Sequence, residues 1–207
     1  MNRLYLELYE AFSLFNREFF DGSLPEVMIT LERNYRIKGY FSPERFIERE
    51  EKNGKQLHEI ALNPEYFGLL TVPEILSTLF HEMVHLEFYG NDRSQKKGYH
   101  SKKWALKMEE CGLIPTDTGY KGGKKTGWRI TQVIEKGGRF DLFTEEMIRR
   151  GFEIEWKDNL EKVEEEPERK KKKRLKYTCS CGLNVWGKKG LKIKCGECNE
   201  FYIMNDR

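Results

Sequence analysis

Thr71–Gly90 reads TVPEILSTLFHEMVHLEFYG, and both ends of a helix are written into it. Thr71 and Glu74 have capping-box spacing, Pro73 falls in the first turn where its missing N–H costs little, and Gly90 suits a left-handed stop. Ile75, Leu76, Leu79, Phe80, Met83 and Leu86 recur at helical spacing, so one face is expected to be buried and the helix to be held by tertiary packing. His81 and His85 lie together on a different face.

Side chains four apart on a helix have Cβ atoms roughly 5–6 Å apart, which lets two imidazoles converge on one zinc ion. Glu82 follows His81 by about 100° around the helix, so its carboxylate can stand over an open coordination position and take a proton from the water there. A catalytic zinc site needs a third protein ligand. Two histidines remain among the four, His58 and His100. His100 is expected to open a second helix, HSKKWALKMEEC, whose His100, Trp104, Met108 and Cys111 share a face before Gly112 stops it. That face would pack on the first helix and bring His100 to the metal. Glu109 and Glu110, at the far end of the same helix, are the carboxylate alternatives. The metzincin pattern would require a histidine at position 91, where the chain has Asn91. His58 is expected on a strand beside Glu59, with no assigned role.

EIALNP (Glu59–Pro64), STLFHEMVH (Ser77–His85) and GYHSKKWALKMEECGLIPTDTG (Gly98–Gly119) together resemble the SprT-like metalloprotease family, to which the DNA–protein-crosslink protease Spartan belongs. The resemblance covers roughly Leu4 to Phe140, and the fifteen positions from His85 to His100 match that family's separation. It implies a zincin-like metalloprotease domain in which His81, His85 and His100 hold the catalytic zinc and Glu82 is the base. It also implies action on proteins bound to or crosslinked on DNA.

The rest of the chain is read as an α+β domain. An amphipathic helix over residues 3–20 carries Leu4, Leu8, Ala11, Phe12, Phe15 and Phe19 on one face. Val27–Leu31, Gly39–Phe41 and Leu57–Leu62 are β candidates, with the charged insert Glu44–Lys55 as a long hairpin connection. They suggest a small antiparallel sheet beside the HEMVH helix, with an edge able to hold a substrate peptide by main-chain hydrogen bonds. PTDTGYKGGKKTG reads as a surface loop, with substrate or DNA contact through Lys121, Lys124 and Lys125 as the alternative. Trp128, Ile130 and Ile134 suggest a strand, residues 145–150 a short helix started by Thr144 and ended by Gly151, and Phe152, Ile154 and Trp156 a last strand.

Beyond residue 157 the composition changes. Residues 158–176 form a charged linker, too poor in apolar side chains to pack, in which Lys170, Lys171, Lys172, Lys173 and Arg174 are candidate phosphate contacts. Residues 177–207 pair Cys179-x-Cys181 with Cys195-x-x-Cys198, the closed four-thiolate set of a structural zinc ribbon, although the one-residue spacing departs from the commoner knuckle. Lys188, Lys189 and Trp186 add basic and aromatic groups suited to nucleic acid. Cys111 is expected to be an inert core thiol.

Thirty-seven basic against thirty-four acidic residues leave a net charge of +3, too little to imply nucleic-acid binding by itself. No apolar run approaches membrane-spanning length and MNRLYLELYEAF lacks a signal-peptide core, so a soluble, cytoplasmic protein is expected, nuclear if the source is eukaryotic. The reading is therefore a zinc metallopeptidase with two zinc sites, a protein or peptide substrate, DNA as a further partner and no membrane. The rivals are a non-catalytic zinc- and nucleic-acid-binding protein, and a peptidase directed to a protein partner by its ribbon.

Overall fold

Alternating burial along the first helix sets up the core. In the computed structural model, which describes residues 3–34, 37–49, 54–89, 98–159, 175–188 and 190–204, α1 (Arg3–Phe19) turns Leu4, Leu8, Ala11, Phe12, Phe15 and Phe19 inward. The chain divides into two compact units, Met1–Leu160 and Glu161–Arg207.

In unit 1, β1 (Val27–Leu31), β2 (Gly39–Ile47) and β3 (Gln56–Leu62) form one sheet in the order β1-β3-β2. The sheet is mixed, a correction to the antiparallel expectation: β2 runs antiparallel to β3, but β1 pairs with β3 in parallel, Val27 opposite His58 through Leu31 opposite Leu62. The reason lies at the end of β3. Buried Asn63 donates from Nδ2 to the carbonyls of Asn34 (3.1 Å) and Ile37 (3.0 Å), and its N–H donates to Lys38 O (2.8 Å). These bonds tie the β1–β2 connection across the end of β3, so β1 lies on its far side.

Helix α2 (Val72–Phe88) starts where expected, with the Thr71 N–H donating to Glu74 Oε2 at 2.7 Å. Gly90 lies outside the described residues. Burial continues without a break from Ile75 through Val84, polar Ser77, Thr78, His81 and Glu82 included, so α2 is a central helix and not a surface one. Phe80 meets Phe15 of α1 edge-on at 5.5 Å, and Phe140 of α4 (Arg139–Arg149) at 5.4 Å. Such aromatic pairs favour edge-to-face contact, and this group joins three helices into one core.

β4 (Tyr99–His100) pairs with β6 (Gly127–Trp128), and β5 (Leu113–Thr116) with β7 (Thr131–Ile134). His100 therefore precedes α3 (Lys102–Glu110) instead of opening it, because Ser101 is the cap, its Oγ accepting from Trp104 N at 3.2 Å. Trp128 and Ile134 do not share a strand, since Arg129 turns left-handed (φ 59°) between β6 and β7. Nor does the last helix start at Thr144: Gly138 caps it, and Thr144 is buried inside it with its hydroxyl donating to Phe140 O. Phe152 and Ile154 pack against the core without forming a strand, and Trp156 is exposed. Cys111 is buried as expected, and burial pushes its thiol up to about 11.

Unit 2 is a three-stranded antiparallel sheet, β8 (Leu175–Thr178) between β9 (Asn184–Gly187) and β10 (Ile203–Met204). Tyr177 is its buried anchor: its hydroxyl donates to Lys188 O and accepts from Leu191 N. Among the described residues no helix is long and apolar enough to cross a membrane.

Candidate metal centre

Three of the four histidines converge. His81 and His85 come from α2 and His100 from β4, and their candidate ligand atoms all lie within 4.8 Å of one another. The closest approach is His81 Nε2 to His100 Nε2, at 2.9 Å. His85 completes the triangle, with ring centroids 5.1 Å from His81 and 4.8 Å from His100. Trp104 of α3, fully buried, backs all three rings at 4.7, 5.3 and 4.4 Å.

Proton bookkeeping around these rings is constrained. Ser77 Oγ donates to Glu74 O at 2.8 Å, so it accepts from Gln132 Nε2 at 2.9 Å, and this turns Gln132 Oε1 toward His81 Nδ1, also at 2.9 Å. His100 Nδ1 lies 3.0 Å from the Gly127 carbonyl. Both outer nitrogens must donate, since a carbonyl oxygen only accepts. In the neutral rings both Nε2 atoms then present lone pairs to each other. Burial holds all three imidazoles below their ordinary protonation range, and His85 falls to about 3. Two facing acceptors call for a cation between them. A zinc ion with ligands at about 2.0–2.1 Å would space tetrahedral nitrogens roughly 3.3 Å apart, close to what is found.

Glu82 is buried on the adjoining face of α2. Burial raises its carboxyl to about 8, opposed in part by a hydrogen bond from the backbone N–H of Phe41 on edge strand β2. Gly39 makes that approach possible. A Cβ there would meet Ala61 O and Thr78 Cγ2, both at 2.9 Å, so only glycine lets the strand lie this close to α2.

A second group gathers in unit 2, where Cys179, Cys181, Cys195 and Cys198 place their sulfurs within 4.8 Å of one another. All are free thiols; Cys179 and Cys198 sulfurs are 3.2 Å apart, Cys181 and Cys195 sulfurs 3.6 Å. Zinc at about 2.3 Å from four thiolates separates them by roughly 3.8 Å, so the set fits. The backbone N–H groups of Cys198 and Glu197 draw the Cys195 thiol down to about 6. The Cys181 N–H does the same in direction for Cys179, so the shorter spacing still yields a turn that donates to sulfur.

Of the candidate nucleic-acid residues, Trp186 is exposed on β9 beside Lys176, and Lys188 follows the strand. Lys170, Lys171, Lys172, Lys173, Arg174 and Lys189 lie outside the described residues. Neither Glu109 nor Glu110 joins the histidines; Glu109 pairs with Lys125. His58 stays apart as well, its Nδ1 accepting from Glu44 N at 3.0 Å. Sequence reasoning missed Gln132, Gly127, Ser77 and the Phe41 N–H as partners of the site.

The profile of the SprT-like family matches residues 8–121, just over half the chain and enough to include all three histidines and Glu82. The chain belongs to the SprT-like family. A curated relative, an uncharacterised protein in the mucB 3′ region of Salmonella typhimurium, is 46% identical over 46 residues, which is 22% of this chain and 62% of the relative. Gly127 and Gln132, the partners of His100 and His81, lie beyond the matched residues.

Proposed function

We propose that this SprT-like chain is a zinc metallopeptidase of zincin type, acting on proteins bound to or crosslinked on DNA. The observation that carries the peptidase reading is the pair of facing Nε2 lone pairs, with the third imidazole beside them and a buried, proton-accepting Glu82 on the next helix face. Members of the family are typically zinc metalloproteases.

His81, His85 and His100 would hold the catalytic zinc, and the four cysteines a structural one. When bound, the catalytic zinc supplies Lewis acidity, polarising the scissile carbonyl and acidifying water. Glu82 takes the proton of the attacking water and passes it to the leaving amine. A carboxyl raised by burial toward neutral pH suits both steps. The Phe41 N–H fixes the carboxylate against β2, while Gln132 and the Gly127 carbonyl keep two imidazoles in the tautomer that offers Nε2. An extended substrate backbone would lie along the edge of β2.

DNA enters this reading through the basic and aromatic groups of unit 2 and the family likeness. The test is cleavage of a DNA-binding protein, with and without DNA, by the parent and by Glu82→Gln. Cleavage by the parent alone, accelerated by DNA, is expected, with Glu82→Gln still binding both metals. Silence of both proteins across several substrates would favour the binding-protein reading.

A further inference from the structure

The pairing of β4 with β6 does more than deliver His100. In register, Tyr99 stands opposite Trp128 and His100 opposite Gly127. Neighbouring residues of a strand point to opposite faces, so the face away from His100 displays the two aromatic rings. They sit edge to face at 5.5 Å, with Trp128 57% and Tyr99 37% exposed. Exposed Lys102 and Lys103 begin α3 just after His100, Arg129 follows Trp128, and Lys124 lies in the loop leading into β6. Among the described residues none of these four cations has an ion-pair partner, whereas most cations elsewhere in unit 1 are paired, Arg3, Arg33, Arg45, Lys107, Lys136 and Arg139 among them. Glu109 holds Lys125, and Asp117 accepts from the Lys124 N–H at 2.8 Å.

We propose that the Tyr99–Trp128 face, with Lys102, Lys103, Lys124 and Arg129 close to it along the chain, is a binding site in unit 1 for single-stranded nucleic acid. Exposed rings offer a stacking surface that every base fits, and unpaired cations supply phosphate contacts, a combination that tolerates any sequence. Duplex presents no base faces to such a surface. An aromatic peptide side chain would use the rings but leave the four cations idle. The inference rests on the proposed action at DNA and deepens it: the nucleic acid is held on the same two strands that carry His100 and the carbonyl orienting it. A protein attached to that strand is thereby kept beside the metal centre.

The test is anisotropy of a fluorescein-labelled 12-nucleotide oligothymidylate with the full zinc-loaded chain over a range of salt. Trp128→Ala should weaken binding about fivefold or more, by a similar factor with Trp186 present or replaced by Ala, and Trp128→Phe should recover most of the loss. Lys102→Ala with Lys103→Ala should lower the salt slope by about 0.7 for each phosphate contact removed. An unchanged metal content checks folding. Affinity within twofold of the parent in Trp128→Ala overturns the proposal, as does a loss confined to Trp186→Ala. A Trp128→Ala effect seen only as a raised KM for peptides with aromatic residues overturns it in favour of a peptide subsite. Because the readout is binding, it is separate from the peptidase reading. A chain that binds as proposed but never cleaves sinks only the chemistry, and one that cleaves but binds indifferently to Trp128 sinks only this site.

Discussion

At the candidate metal centre the buried titratable residues pull stability in opposite directions with pH. His81, His85 and His100 are held below their ordinary value of 6.5, chiefly by burial, so the unfolded chain binds more protons below that pH. Their contribution is present above pH 6.5 and is lost as pH falls toward about 3, the value for His85. Glu82 is raised from 4.5 to about 8, so its contribution is full below pH 4.5 and lost as pH rises through 8. In metal-free protein the two therefore offset each other between pH 6.5 and 4.5, and between pH 8 and 6.5 Glu82 acts alone. Glu82→Gln removes one side, and the urea midpoint of the chelated variant should fall more steeply from pH 7.5 to 5.5 than that of the parent. Equal slopes would mean that Glu82 is not buried as a proton acceptor. A second residue-scale expectation concerns Gln132. Loss of an outer partner of a ligating histidine typically costs 10–100-fold in metal affinity, so Gln132→Leu should weaken zinc binding at the histidine site by that order, while Gln132→Glu, which keeps the acceptor, should weaken it less. Competition against a zinc-sensitive dye distinguishes the two.

Elements bring these residues together, and here the limits of sequence reading show. His81, Glu82 and His85 were legible because one helix fixes their relation locally, whatever surrounds it. His100 was reached as one of the two histidines left and from the apolar face it was expected to share with Trp104, Met108 and Cys111, though it proved to lie on β4, before the Ser101 cap. Gln132 and Gly127 carried no local signal: each arrives through long-range strand pairing, β7 with β5 and β6 with β4. The parallel placement of β1 was hidden too, because alternating burial looks alike in parallel and antiparallel pairs, and the deciding tie is made by Asn63 beyond the strand. Gly39 was noted only as the start of a strand, yet its missing Cβ sets the approach of β2 to α2. Gly39→Ala should accordingly cost about 1–3 kcal/mol through overpacking. By moving the Phe41 N–H away from Glu82 it should also lower kcat more than it raises KM. A variant with reduced stability but parental kcat would separate the packing role of Gly39 from the site.

Over the whole molecule, two donor sets of different softness occupy two units that cluster separately along the chain. Three imidazoles leave a coordination position for chemistry, whereas four thiolates close theirs, so zinc in unit 2 is expected to stabilise and not to react. A segment as short as residues 175–204, in which Tyr177 is the one large fully buried side chain among the described residues, has too little apolar core to fold without help, so its metal affinity and its folding should be one equilibrium. Unit 1 has its own core on α1, α2 and α4 and should fold without metal. Two zincs per chain are therefore expected. Cys195→Ser should lose one zinc and the ordered structure of unit 2, while the thermal transition of unit 1 and its hydrolysis of an unstructured peptide persist. His85→Ala should lose the other zinc and all hydrolysis, while unit 2 keeps its fold. Metal analysis joined to amide exchange reads both variants at once. Retention of two zincs by His85→Ala would sink the histidine site, and collapse of unit 1 protection in Cys195→Ser would show that the two units fold as one.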